Sequence, residues 1–228
     1  MAIVTIDDTN LTNIANAIRS KNGTDNTYKP NEMASAIESI ETGGGGETPE
    51  YTRVSYIQFT GEQTIDTGII CNQNTKLKVV FTREKSAQHY LFGVASTDNT
   101  ASVTAYLGGS WRFGNKSTTK TLTTNEDMVY SGVLDSSQMT ITGSKTAISS
   151  VNDFETIGSL LLGTCRSSSG SIPSPQFIGK VYLFEMWQGE EKVLKLIPVV
   201  NKNGVYGFLD EVSGEFFTSI TDTQLEGE

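Results

Sequence analysis

The chain has 228 residues, a formal net charge of −9 and 36% hydrophobic residues, enough to bury a substantial core. Only five prolines are present, which excludes a Pro-rich stalk. No run approaches the roughly 20 apolar residues of a membrane-crossing helix, so no membrane insertion is expected.

The charge sits at the ends. Residues 1–50 hold eight acidic and three basic residues, and residues 210–228 hold six acidic and no basic ones. The stretch between is close to neutral and has no basic cluster, so nucleic acid is not an expected partner. Cys71 and Cys165 are too few for a disulfide framework and read as idle thiols. Met1–Val4 has neither the basic start nor the apolar core of an export signal, so synthesis and folding in a bacterial cytoplasm are expected.

In chain order, residues 1–42 differ from the rest. Leu11, Ile14, Ala15 and Ile18 recur at helical spacing, with Thr9 or Asn10 as the cap and Lys21-Asn22-Gly23 as the stop. A second helix is expected to start near Pro30, with Met33, Ala34, Ile37 and Ile40 as its apolar stripe. Two helices of about three turns each make a hairpin too small to be stable alone. Its stripes are therefore expected to pack on another chain or a larger body. Gly43 to Gly46 follow as a flexible linker, and residues 43–50 mark a domain boundary.

From residue 51 to 228 the pattern is that of strands. Runs with period-two alternation or β-branched and aromatic enrichment fall at Arg53 to Thr60, Ile65 to Ile70, Thr75 to Thr82, His89 to Ala95, Ser102 to Leu107 and Ser110 to Phe113. Further runs fall at Lys120 to Thr124, Met128 to Leu134, Met139 to Thr142 and Gly158 to Gly163. The last are Phe177 to Gln188, Lys192 to Val200, Val205 to Asp210 and Glu215 to Phe217. In Thr75 to Thr82, Leu77, Val79 and Phe81 share one face. Short strands separated by turn residues predict a large antiparallel β-sandwich or jelly roll, preceded by the short α-helical hairpin.

Several stretches carry a resemblance. The opening VSYIQFTGEQTIDTGI, the strand TKLKVVF, Leu91-Phe92-Gly93, Leu161-Leu162-Gly163 and the closing run from Phe177 to Ser219 stand in one order along the chain. Together they resemble the concanavalin A-like (laminin-G-like) sandwich domains of phage tail and bacterial surface proteins. The segment NLTNIANAIRSKNGTDNTYKPNEMASAI resembles a module common at the N-terminus of phage structural and tail proteins. The first resemblance implies a concanavalin A-like sandwich and lectin-type recognition. The second implies attachment to a virion or oligomerisation, and trimers are common among tail fibres.

Chemistry is sparse. Glycoside hydrolysis needs two carboxylates facing one cleft, roughly 5–10 Å apart. Glu185 stands alone, while Glu190-Glu191 and Asp210-Glu211 adjoin turns, so catalysis is not expected. His89 is the sole histidine, and no Gly-x-Ser-x-Gly elbow or zinc set accompanies it. No cofactor is expected. Calcium is left open, with Asp98, Asn99, Asn152 and Asp153 as loop candidates.

Sugar binding needs an aromatic platform and planar polar groups. Tyr106, Trp111, Arg112 and Asn115 offer these around Gly108-Gly109, where two glycines would let a ligand approach the backbone. By parity, Trp111 and Phe113 share one face and Arg112 takes the other. The serine-rich loop Gly163 to Gln176 adds Arg166, which suits an acidic sugar.

The chain is thus read as a non-catalytic phage tail or receptor-binding protein. Its sandwich would recognise host cell-surface glycan, and its helices would join other tail proteins or a homo-oligomer, possibly a trimer. The alternatives are a bacterial cell-surface adhesin and a structural virion decoration without ligand.

Overall fold

The computed structural model describes residues 8–22, 27–30, 32–38, 50–84, 89–118, 128–142, 144–148, 151–172 and 177–228. The chain divides into two compact units, Met1–Glu50 and Tyr51–Glu228.

The first unit contains α1 (Asp8–Asn22) and α2 (Met33–Glu38). Ala15, Ile18, Met33 and Ala36 bury one another, and Leu11 and Tyr28 pack against them. Helix α1 begins at Asp8, so Thr9 and Asn10 lie inside its first turn instead of capping it. Asp8 places a carboxylate where the helix dipole favours one. Helix α2 is entered through a reciprocal cap: the Lys29 amide donates to Glu32 Oε2 at 2.9 Å, and the Glu32 amide donates to the Lys29 carbonyl at 2.9 Å. Pro30 sits just inside that cap, as its fixed φ allows.

One expectation fails in this unit. Ile14 and Ile37 are 44% and 51% exposed and take no part in the packed stripe. Helix α2 is described over Met33–Glu38, and the rest of its expected three turns lies outside the described residues. Gly23, Ile40 and the glycine linker lie outside the described residues, as does the Ala34 side chain.

The second unit is an antiparallel β-sandwich. Its strands are β1 (Tyr51–Arg53), β2 (Ile57–Thr60), β3 (Ile65–Asn72), β4 (Thr75–Phe81), β5 (His89–Ala95), β6 (Ser102–Leu107), β7 (Trp111–Gly114) and β8 (Lys116–Thr118). There follow β9 (Tyr130–Leu134), β10 (Gln138–Ile141), β11 (Ser144–Ala147), β12 (Glu155–Leu162), β13 (Ile178–Gln188), β14 (Glu191–Asn201), β15 (Tyr206–Asp210), β16 (Phe216–Phe217) and β17 (Glu226–Gly227).

Six strands form one sheet in the order β3-β12-β5-β6-β7-β8. The larger sheet runs β11-β10-β9-β4-β13-β14-β15-β16, with β1 on β14, and with β2 between β13 and β17. The run Arg53 to Thr60 is therefore two strands, not one. Tyr51–Arg53 pairs with Val199–Asn201, whereas Ile57–Thr60 pairs with Ile178–Val181. Strands β8, β11 and β17 are too short for alternation to show them. The expected strand Lys120 to Thr124 lies outside the described residues.

Alternation sets the core. Leu77, Val79 and Phe81 of β4 point inward and are at most 1% exposed, as expected. From the six-stranded sheet Phe92, Val103, Ala105, Trp111 and Phe113 meet Phe184, Met186 and Leu134 of the other sheet in one cluster. Phe92 links them: its ring stands edge-on to Trp111 at 5.7 Å and to Phe184 at 5.8 Å. Each such buried aromatic contributes about 1.5–3 kcal/mol from area alone. Gly132 of β9 makes room for the indole. A β-carbon there would lie 2.7 Å from the outer edge of Trp111 and 3.3 Å from Val79.

That gap gives a direct test of packing. Gly132→Ala adds a methyl into the Trp111 contact and is expected to destabilise the sandwich by about 1–3 kcal/mol, read as a lower denaturation midpoint at unchanged slope. An unchanged midpoint would mean the indole moves aside freely.

Candidate functional site

The inward turn of Trp111 and Phe113 sends Arg112 to the outer face of the six-stranded sheet. Register completes that face. Arg112 lies opposite Thr104, Thr104 opposite Gly93, and Tyr106 opposite Tyr90. The pairing of β5 and β6 shifts between Tyr90 and Phe92. This bulge lets Leu91 and Phe92 both bury while Tyr90 stays outside.

Tyr90 and Tyr106 are half-buried, with ring centroids 4.7 Å apart and planes tilted by 46°. Tyr106 leans over the turn after β6, where a β-carbon on Gly109 would lie 2.4 Å from its ring. Gly109 thus accommodates the tyrosine ring and leaves no gap over its own backbone for a ligand, contrary to the sequence reading. Burial pushes the Tyr90 hydroxyl up from its ordinary value, against the lowering effect of the nearby Arg112 charge.

On the same face, Cys165 covers Gly93, whose β-carbon would meet the sulfur at 2.8 Å. Beyond it, Arg166 Nη2 donates to Asp66 Oδ2 at 3.0 Å, and Ser159 Oγ donates to Asp66 Oδ1. The Arg166 backbone is held as well: its amide donates to Gly93 O at 3.1 Å, and its carbonyl accepts from Ala95 N at 2.9 Å. Arg166 therefore pins the loop after β12 and is already committed to a carboxylate.

The expected ligand residues separate accordingly. Tyr106 and Arg112 come together, and Arg166 shares their face. Trp111 is 1% exposed and presents no ring to a ligand, which corrects its reading as a sugar platform. Asn115 follows the far end of β7, where its Oδ1 accepts from the Asn152 amide at 3.4 Å. It is divided from Tyr106 by the length of that strand. Tyr90 and Thr104 join the face without having been anticipated. The pairing of the two tyrosines could be found only by aligning His89 to Ala95 against Ser102 to Leu107 with a bulge.

The calcium candidates lie at one end of the sheet. Asp98 and Asp153 line a pocket of about 340 Å³ together with Ser96, Thr97, Thr100, Phe154 and Glu155. Asn99 and Asn152 are not among its lining residues. Asp98 spends its oxygens locally: Oδ1 accepts from Ser96 Oγ at 2.6 Å and Thr100 N at 3.1 Å, and Oδ2 accepts from Thr100 Oγ1 at 2.8 Å. Those bonds lower its carboxyl to about 2. Among the described residues, no three or more His, Cys, Asp or Glu side chains gather as a metal-binding group.

The opposite sheet neutralises its own charges. Glu185 is 4% exposed. Burial would raise its carboxyl, but bonds from Lys192 Nζ at 2.6 Å and Lys78 Nζ at 3.1 Å outweigh this and hold it low. Trp187 sits beside it with Lys76 and Lys192 over its ring, at 5.2 and 4.9 Å. Asp210 caps the turn after β15, accepting from the amides of Lys195, Val212 and Ser213 and from Ser213 Oγ. His89 is buried at the start of β5.

No family model matches the chain, and no curated protein matches it. Among solved structures, the native heptameric SAP-like pentraxin from Limulus polyphemus is similar at 12% sequence identity and a TM-score of 0.44. The likeness covers 60% of this chain and 77% of that one. A likeness of this size carries no inference about what the chain binds.

The two free thiols supply a check on the packing around the site. Burial pushes both Cys71 and Cys165 up to about 12. Neither is expected to react with a disulfide reagent at pH 8 in the folded protein, and both are expected to react in denaturant. Rapid labelling of Cys165 in the native state would show that the segment over Gly93 opens.

Proposed function

We propose that the chain is a non-catalytic recognition protein of a phage tail, whose sandwich binds host cell-surface carbohydrate through the outer face of the six-stranded sheet. The observation that carries the carbohydrate reading is the tilted Tyr90–Tyr106 pair with Arg112 two residues along the same face. Half-buried tyrosines offer apolar ring faces for a pyranose at little entropic cost, with hydroxyls for its rim.

The electrostatics support a site without a catalytic acid. A glycosidase acid is held neutral by a raised pKa. The described carboxyls with a resolved shift, namely Asp98, Asp135, Glu185, Asp210 and Glu211, are all held low by hydrogen bonds and neighbouring cations. Asp66, the carboxylate on the proposed face, is spent on Arg166 and Ser159.

The tail assignment rests on the sequence resemblance of residues 10–37. The helical unit leaves Ile14 and Ile37 exposed, which suits attachment to another tail protein or to a second and third copy of the chain. Several copies on one particle would multiply weak single-site affinity.

An array of immobilised bacterial surface glycans, probed with a multivalent form of the full chain, tests the reading. Binding is expected, and Tyr90→Ala or Tyr106→Ala should each weaken it several-fold while the melting transition stays cooperative. A blank array with multivalent protein would sink receptor binding.

A further inference from the structure

Arg112 differs from the other arginines whose contacts the structure gives. Arg19 bonds Asn16, Arg53 pairs with Glu211 and Arg166 pairs with Asp66. Among the described residues the Arg112 side chain has no hydrogen-bond or ion-pair partner, and its Nε is buried without an acceptor. The Nε has given up water without a partner, as has that of Arg166, but Arg166 has a carboxylate on its Nη2 and Arg112 has none among the described residues.

Its placement is fixed by packing. Trp111 and Phe113 on either side are locked into the core at 1% and 0% exposure, so Arg112 cannot turn inward. Its cross-strand partners Thr104 and Ser117 are uncharged, and its diagonal neighbours on β6 are Tyr106 and Ser102. Asp66, the acid within the same face, lies on β3, four strands away from β7, where Arg166, Ser159 and the Gly68 amide engage it. Among the described residues the Arg112 charge stands beside two tyrosine rings without a paired carboxylate, on a chain whose net charge is −9.

We propose that this site takes a carboxylated saccharide, with Arg112 holding the carboxylate of a uronic or sialic acid unit while Tyr90 and Tyr106 meet its ring. The inference rests on the carbohydrate reading of this face and deepens it. A guanidinium offers two parallel N–H donors that match the two oxygens of a carboxylate. One free cation balances the single charge of a carboxylate. The sugar-acid specificity assigned to Arg166 on sequence grounds passes to Arg112, because Arg166 is already paired.

The test uses the full chain against immobilised glucuronic acid and N-acetylneuraminic acid conjugates, their carboxyl methyl esters, neutral glucose and N-acetylglucosamine conjugates, and a glycerol-phosphate-substituted glucose. The expected result is that at least one free acid binds wild type about tenfold or more tightly than its methyl ester. Arg112→Gln should abolish that gap, reducing the acid-to-ester ratio to within a factor of about two of unity. The acid-to-ester comparison needs no variant and holds even if Arg112→Gln fails to fold. Equal binding of acid and ester, or preference for the phosphodiester conjugate, would overturn the proposal while the carbohydrate reading stood. No binding to any conjugate would overturn both.

Discussion

Trp111 on the six-stranded sheet is seated against Gly132 on the eleven-stranded one, and much else in the sandwich follows from that contact. The indole is fully buried, its outer edge fills the space where any side chain on residue 132 would begin, and Phe92 closes against its face. Interiors packed to crystal density do not tolerate a shift of such a group. The position of Trp111 therefore fixes the parity of β7, and parity fixes Arg112 on the opposite side of the sheet. The chemistry of the outer face is in this sense a consequence of how the two sheets meet.

The two outer faces treat charge differently. On the eleven-stranded sheet, Glu185 is enclosed by Lys78 and Lys192, Lys195 and Arg53 share Glu211, and two lysines lie over Trp187. Those charges are spent on one another, as expected of a surface whose task is to stay folded in water. On the six-stranded sheet, the Asp66–Arg166 pair is closed in the same way and anchors the loop after β12. Arg112 is left over beside the tyrosine pair. On the eleven-stranded sheet Lys180 lies over the Tyr56 ring at 4.3 Å, whereas the Arg112 guanidinium has no hydrogen-bond or ion-pair partner among the described residues.

Much of this can be read from the chain. Leu77, Val79 and Phe81 declare the inner face of β4, and Trp111 and Phe113 flanking Arg112 declare opposite sides of β7. The order of strands with their turn residues is sufficient for a sandwich. Other features depend on partners far away in sequence. Arg166 reads as free in a serine-rich loop because Asp66 lies 100 residues earlier. Tyr90 is hidden by the bulge at Leu91, which puts two core residues in succession and breaks the alternation. The run Arg53 to Thr60 alternates without interruption, yet divides because its halves pair with different strands. Ile14 and Ile37 satisfy helical spacing, yet the small unit buries Ala15, Ile18, Met33 and Ala36 instead.

The central claim is that recognition belongs to the outer face of the six-stranded sheet. Amide chemical-shift mapping of the full chain during titration with a glucuronic acid oligosaccharide tests it most directly. The account predicts that the largest changes fall on Tyr90, Thr104, Tyr106 and Arg112, with little change around Trp187 and Lys192. Changes concentrated at Lys76, Trp187 and Lys192, on the other sheet, would contradict it.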